Sequence, residues 1–309
     1  MKQFKVTPAP FIKNNDSVSS LYEQKGVMLV MVLLLGVISF GWHSLWITLV
    51  SLASALVFEL IYNFICYEKF KISDFTFIIT ALTYSCLAAP KTPLYVPVLA
   101  MLFSIVVCKM AFGGFANNVF EMAGAGALFV GCIFSGMSNA WLVIKGAGFA
   151  ASPYASIASG ELSNLNIMNF VSGQITSAIG CAFFIAIIVA YVYMSIFKAI
   201  DFKMPLIAIL TMVICIMLFN GFDYNLILPY LLAGNFLFVS VFMLTDFTSN
   251  PNTTLGQVIF SIIFGLLAYI VTKFNIMGDL GIIAALIIAN LFVPLFDRVI
   301  RPKYFGEGK

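Results

Sequence analysis

Apolar runs of about 18 to 22 residues recur from one end of the chain to the other, and this pattern restricts the fold more than any other feature. A helix of about 20 residues crosses the roughly 30 Å hydrocarbon core of a bilayer and satisfies its own backbone hydrogen bonds on the way. Of the 309 residues, 62% are hydrophobic and only 9% charged, against about 25% charged in soluble domains. Mean hydropathy is +1.05. The chain reads as an all-α polytopic membrane protein with no room for a soluble catalytic domain.

Ten transmembrane spans are expected, at about 27–42, 45–66, 74–89, 94–111, 122–136, 177–197, 205–220, 226–244, 256–273 and 280–297. The third and fifth are short. An even count puts both termini on one side, and basic residues flanking spans concentrate on the cytoplasmic side. With the termini inside, Lys2, Lys5, Lys13, Lys25, Lys69, Lys71, Lys109, Lys198, Lys203, Arg298, Arg301, Lys303 and Lys309 are cytoplasmic, and Lys91, Lys145 and Lys273 lie outside, a division of 13 against 3. The expected organisation is a cytoplasmic tail over residues 1–26, a membrane domain over 27–297 and a cytoplasmic tail over 298–309. An outer-face loop occupies about 136–175, rich in Ser, Gly, Asn and Ala. The first apolar run is too long and too late for a cleaved leader, so the N-terminus is expected to be retained.

Five spans, a long loop and five spans suggest two inverted five-helix halves, because an odd number per half reverses orientation. Each half carries an interrupted stretch, Phe112-Gly113-Gly114-Phe115-Ala116-Asn117-Asn118 and Thr245-Asp246-Phe247-Thr248-Ser249-Asn250-Pro251. Such stretches commonly line a central site in inverted-repeat membrane proteins, where half-helix ends offer dipoles and free backbone groups.

The rest of the chain narrows the chemistry. All six cysteines lie in or beside apolar segments without C-x-x-C spacing, which favours small buried side chains over a metal site or disulfide. His43 is the single histidine and falls in a short turn, which leaves no histidine-ligated haem or metal. A net charge of +3 says little about partners beyond lipid, and no catalytic dyad, phosphate-binding glycine motif or nucleic-acid patch is present. Gly124-Ala125-Gly126 and Gly146-Ala147-Gly148 suit close helix packing and loop turns. Glu59 sits deep in the second span, as part of an ion path or as a structural hydrogen-bonding group. Glu121 and Lys109 flank the first interrupted stretch and are placed to pair across it. Asp246 opens the second, where its carboxylate and the oxygens of Thr245, Thr248, Ser249 and Asn250 suit a hydrated Na+ or the capping of helix ends.

Several stretches together resemble a known family: Ser73-Asp74, Ala89-Pro90-Lys91-Thr92-Pro93-Leu94, Lys109, Phe112-Gly113-Gly114, Asn118 and Phe120 in the first half. Pro10-Phe11-Ile12-Lys13 with Asp16-Ser17-Val18, Met243-Leu244-Thr245-Asp246, Ser249, Pro251 and Gly256 extend the likeness. So do Asn290-Leu291-Phe292-Val293-Pro294-Leu295-Phe296-Asp297 and Arg301-Pro302-Lys303-Tyr304-Phe305-Gly306. In order and spacing they are similar to the RnfD/NqrB family, whose members are the RnfD membrane component of Rnf electron-transport complexes and the NqrB membrane component of the sodium-pumping NADH:quinone oxidoreductase. The resemblance implies a bacterial cytoplasmic (inner) membrane subunit, not catalytic alone, that works with other membrane and peripheral subunits and relays electrons through flavin while Na+ or H+ is moved.

The resemblance also implies a flavin mononucleotide, FMN, esterified through its phosphate to a threonine of the outer-face loop. Its motif falls on Phe149-Ala150-Ala151-Ser152-Pro153, which makes Ser152 the candidate attachment residue; Thr176 matches a second motif and is the weaker candidate. A noncovalent riboflavin or FMN between the spans is the further alternative. Three departures stand out. Phe149 and Ala150 replace a polar residue and a glycine ahead of Ser152. Glu121-Met122-Ala123 and Gly126-Ala127 replace Asn-Pro-Ala and Gly-Arg. Gln257 replaces a basic residue. They motivate a second expectation, a flavin-free member acting as a transporter, channel or scaffold subunit.

Overall fold

The computed structural model describes residues 18–67, 76–114, 116–134, 154, 157, 177–232 and 234–300, and among these it is built from helices and turns without strands. The helices are α1 (Val18–Phe40), α2 (Trp42–Tyr67), α3 (Thr76–Leu87), α4 (Tyr95–Met110), α5 (Met122–Ile133), α6 (Phe184–Ile196) and α7 (Lys203–Phe219). After them come α8 (Ile227–Leu232), α9 (Phe236–Met243), α10 (Thr254–Lys273), α11 (Asp279–Leu291) and α12 (Val293–Val299). Each of the ten expected segments meets a helix. Ser20–Phe40, Trp42–Ile65, Thr254–Lys273 and Asp279–Val299 are long and apolar enough to span a bilayer. A fifth, Tyr224–Leu232 with Phe236–Met243, is bent by 69° at its break, and five more are shorter.

The surface is rich in large apolar side chains, and a set of polar residues is buried within the apolar interior. Ile38, Trp42, Ile65 and Ile196 are largely exposed, whereas Ser51, Ser85, Ser104, Ser240 and Ser261 are fully buried. Many of these hydroxyls are satisfied within their own helix: Ser51 donates to the Ile47 carbonyl at 2.8 Å, Ser85 to Ala81 at 2.7 Å and Thr272 to Ala268 at 2.8 Å. Back-bonding of this kind keeps those three hydroxyls from being buried unpaired, whereas Ser104 Oγ has no partner among the described residues. The chain is a polytopic membrane protein.

Helices α3 and α5 have 12 residues each, about 18 Å of rise, well short of the roughly 30 Å core. They are half-spans wedged among long helices: α3 packs against α1, α2 and α5 and is buried on nearly every side. A turn at residues 179–181 completes it, with Ile179 N–H donating to the Ala88 carbonyl at 3.0 Å and Gly180 N–H to the Cys86 carbonyl at 2.8 Å. Only glycine allows that approach, because a Cβ at position 180 would lie 2.4 Å from the Cys86 Cβ.

Both interrupted stretches begin in the same way. The second part of α4, Phe103–Met110, and the end of α9, Val239–Met243, are π-helical. Ala111 N–H reaches the Val106 carbonyl at 3.0 Å, and Leu244 N–H reaches Val239 at 2.8 Å, five residues back in each case. A π-turn widens the helix and turns side chains to new directions, a feature frequent at functional sites.

Several boundaries differ from those expected: helix α6 starts at Phe184 and not near 177. Helix α1 starts at Val18, ahead of Val27, so Lys25 lies inside a helix and is 3% exposed. His43 belongs to the first turn of α2, its Nε2 3.0 Å from the Thr92 carbonyl. Charged residues are expected to mark span ends; Lys25 and Lys109 are instead buried within the fold.

Candidate functional site

The two interrupted stretches meet in the interior. Asn118 Nδ2 donates to Thr248 Oγ1 at 2.8 Å and to the Phe120 carbonyl at 3.1 Å. Thr248 Oγ1 in turn donates to Asp246 Oδ2, and Lys25 Nζ from α1 holds Asp246 Oδ1 at 2.9 Å. Lys25 and Asp246 have side chains 3% and 6% exposed. Glu121 is the N-cap of α5, its carboxylate accepting from Ala123 N–H and Gly124 N–H, and it lies within electrostatic reach of both Asp246 and Lys25. A cap of this type satisfies first-turn amides and places negative charge at the positive helix end. One lysine thus faces two carboxylates where two half-helices start and stop.

A second buried pair joins α2 to α4. Lys109 Nζ, on the π-helical part of α4, holds Glu59 Oε2 of α2 at 3.0 Å, and both side chains are at most 1% exposed. Tyr62, one turn beyond Glu59, donates to the Met110 carbonyl at 3.1 Å. The excess of polar contacts follows from the π-turn, which leaves carbonyls available and swings Lys109 toward α2.

These contacts correct two expectations. Lys109 pairs with Glu59 and not across the break with Glu121, whose carboxylate is spent on the α5 amides. Capping after the second break falls to Thr253, whose Oγ1 accepts from Gly256 N–H at 3.2 Å, while Asp246 serves the ion pair. Lys25 escapes sequence reasoning as a site residue because its partner is 221 positions away, and nothing local to a lysine near a span start signals that.

Ser152 and Thr176 lie outside the described residues. Tyr154, two positions after Ser152, is described and is 1% exposed, packed on Gly234 at the break between α8 and α9. A Cβ at position 234 would fall 2.4 Å from the Tyr154 ring, and Gly234 has φ +66. Tyr154 is therefore packed against the break of the bent span. No group of three or more His, Cys, Asp or Glu side chains able to hold a metal ion occurs among the described residues.

The model of the NQR2, RnfD, RnfE family matches residues 5–306. The chain belongs to this family. It is 23% identical to the D subunit of the Na+-translocating ferredoxin:NAD+ oxidoreductase complex of Acetobacterium woodii, over 98% of this chain and 96% of that protein. Its identity to the D subunit of the proton-translocating ferredoxin:NAD+ oxidoreductase complex of Clostridium ljungdahlii is also 23%, covering 99% and 97%. To the D subunit of the ion-translocating oxidoreductase complex of Methanosarcina acetivorans it is 25% identical, covering 99% and 98%.

Within the NQR2, RnfD, RnfE family frame, the residues noted as departures have definite places here. Gln257 Nε2 donates to Asp201 Oδ2 at 3.0 Å, tying α10 to the turn before α7. Ala127, where the resemblance implies an arginine, is buried in α5 and lines a small internal cavity. Glu121 supplies the cap at the start of α5. From the closing motif of the resemblance, Asp297 accepts from Asn252 N–H at 2.9 Å and Asn252 Nδ2 at 3.0 Å, fastening α12 to the end of the second break.

Proposed function

We propose that this chain is the D-type membrane subunit of a multi-subunit ion-translocating oxidoreductase complex, working in the cytoplasmic (inner) membrane with both termini cytoplasmic. Its partners in this reading are the other membrane and peripheral subunits, the lipid bilayer, and Na+ or H+. The observation that carries the reading is the charged crossing of Lys25, Glu121 and Asp246 at two half-helix ends. Ionisable groups deep in a membrane domain are expensive, and a purely structural crossing is served as well by uncharged residues. Asp246 and Glu59 are the carboxylates assigned to ion handling, with Lys25 and Lys109 as the basic groups that hold them.

For the redox part, the Ser152 hydroxyl is assigned as the attachment point of FMN through a phosphoester, with Thr176 second. A serine hydroxyl has the chemistry of threonine for that bond. Bound flavin would supply a carrier able to take and pass one or two electrons. Tyr154, two residues after Ser152, packs on Gly234 at the break of the span that leads to Asp246.

Ultraviolet fluorescence of the denatured band and intact mass of the purified subunit test this. The expected result is an FMN adduct on the wild type that is absent in Ser152→Ala. No adduct, and no flavin in an extract of the complex, sinks the electron-carrier part. The second reading, a flavin-free transporter or scaffold subunit, rests on Phe149 and Ala150 ahead of Ser152, and that outcome would favour it.

A further inference from the structure

Helices α4 and α5 run antiparallel along a seam whose contacts keep step. Tyr95 meets Phe134 edge-on with ring centroids 5.7 Å apart, and Phe103 stacks on Phe129 at 4.1 Å and 7°. Nearer the first break, Cys108 packs with Met122 and Ala125. A groove of about 400 Å³ follows this seam from Phe112 and Phe120 at the break to Ile133 at the end of α5, and Ile287 of α11 also lines it. Val107, Phe112 and Ile133 on its lining are 39%, 46% and 55% exposed, so the groove opens on the outside of the bundle.

The walls decide the occupant. Their side chains are hydrocarbon and aromatic apart from the thiols of Cys108 and Cys132. A thiol is only a weak hydrogen-bonding group, so a flavin or quinone ring there would bury its polar atoms without partners, at a cost. Water fares no better, since a buried water needs about two to four polar partners. Size excludes a partner helix. Spread along the rise of α5, about 18 Å, the volume leaves a slot about 5 Å wide, whereas a helix with its side chains is about 10–12 Å across. A methylene chain, whose carbons meet their neighbours at about 4 Å, fills such a slot. The length also fits, because one leaflet is about half of the roughly 30 Å hydrocarbon core.

We infer that the groove between α4 and α5 is a binding site for one acyl chain of a bilayer phospholipid, lying along the seam. Helix α5 is a half-span, and the bound chain supplies dispersion contacts on the side where α4, α5 and α11 leave space. The site involves none of Lys25, Asp246, Glu59 and Ser152, and it stands whether or not those residues carry ions or flavin.

The test is native mass spectrometry of the full-length chain, moved from vesicles of phosphatidylethanolamine and phosphatidylglycerol into detergent. Expected is a phospholipid retained on the wild type through extended detergent exchange. Val107→Trp sets an indole at the mouth of the groove and should lose that lipid. Val189→Trp, on the exposed side of α6, should keep it. A second readout stands even if Val107→Trp fails to fold: Ile133 is replaced by the photoreactive p-benzoylphenylalanine and the assembled complex is irradiated in the same vesicles. The expected product is this chain carrying the mass of one phospholipid. No lipid retained on the wild type, equal retention in Val107→Trp, or a crosslink to a protein chain in place of lipid overturns the site.

Discussion

Asn118 and Thr248 are hydrogen-bonded at 2.8 Å although 130 residues separate them, and each belongs to the interrupted stretch of its own half. That single bond closes a chain running from Asn118 through Thr248 and Asp246 to Lys25 on α1. The two halves are joined at their breaks by polar groups in a bundle otherwise packed largely by apolar side chains.

Replacing Thr248 by valine keeps volume and removes the relay. Asp246 Oδ2 then loses a donor and Asn118 Nδ2 an acceptor, both buried, which costs about 1–3 kcal/mol. A lower Tm for Thr248→Val in detergent, with Thr248→Ser close to wild type, is the expected pattern. Equal melting of all three would mean that water replaces the hydroxyl.

Lys25 and Asp246 are not equivalent partners. Lys25→Met leaves Asp246 facing Glu121 with no cation between them, and loss of one member of a buried pair costs about 3–5 kcal/mol. Asp246→Asn leaves Lys25 with Glu121 still within reach. The lysine variant should therefore be the less stable of the two, and Lys25→Met with Asp246→Asn should recover part of the loss. A double-mutant cycle on melting temperatures measures this directly. Additive effects would mean that the 2.9 Å contact carries no coupling.

The all-helical membrane architecture was legible because hydrocarbon thickness imposes a length and an apolar composition that sequence displays directly. Even the short third and fifth spans could be read, since α3 and α5 are short for want of apolar residues. The interrupted stretches were legible through Gly113, Gly114, Asn118 and Pro251. What failed was pairing. Lys109 has Glu121 nearby in sequence and Glu59 across a helix interface, and the π-turn that swings it toward Glu59 has no residue signature. Lys25 reads as a span flank because a lysine at a helix end and a lysine about two turns inside look alike in sequence. Phe103 and Phe129 look like any of the chain's 32 phenylalanines, and only the fold puts them on one groove.

Gly234 tests the packing of Tyr154, two residues after Ser152, on the broken span. Alanine there must adopt φ +66 and push a methyl into the Tyr154 ring, and overpacking of this kind costs about 1–3 kcal/mol. Gly234→Ala should lower Tm and increase proteolysis within residues 136–175. Adding Tyr154→Ala removes the clash, so the double variant should lose less than the sum of the two single changes. Strict additivity would leave backbone strain as the whole cause and the ring contact without weight.

Glu59 separates structure from transport. In Glu59→Gln the amide keeps the shape but Lys109 Nζ loses its buried counter-ion at 3.0 Å, so stability should fall by about 3–5 kcal/mol. A purely structural pair predicts that Glu59→Leu with Lys109→Met restores both stability and ion uptake, because well-packed apolar residues replace a buried pair with little loss. A pair that handles ions predicts a different split: the double variant recovers its Tm, yet electron-transfer-driven uptake in vesicles stays about tenfold or more below wild type, a barrier rise of roughly 1.4 kcal/mol. Recovery of uptake along with stability would remove Glu59 from the ion path and leave Asp246 as the remaining candidate.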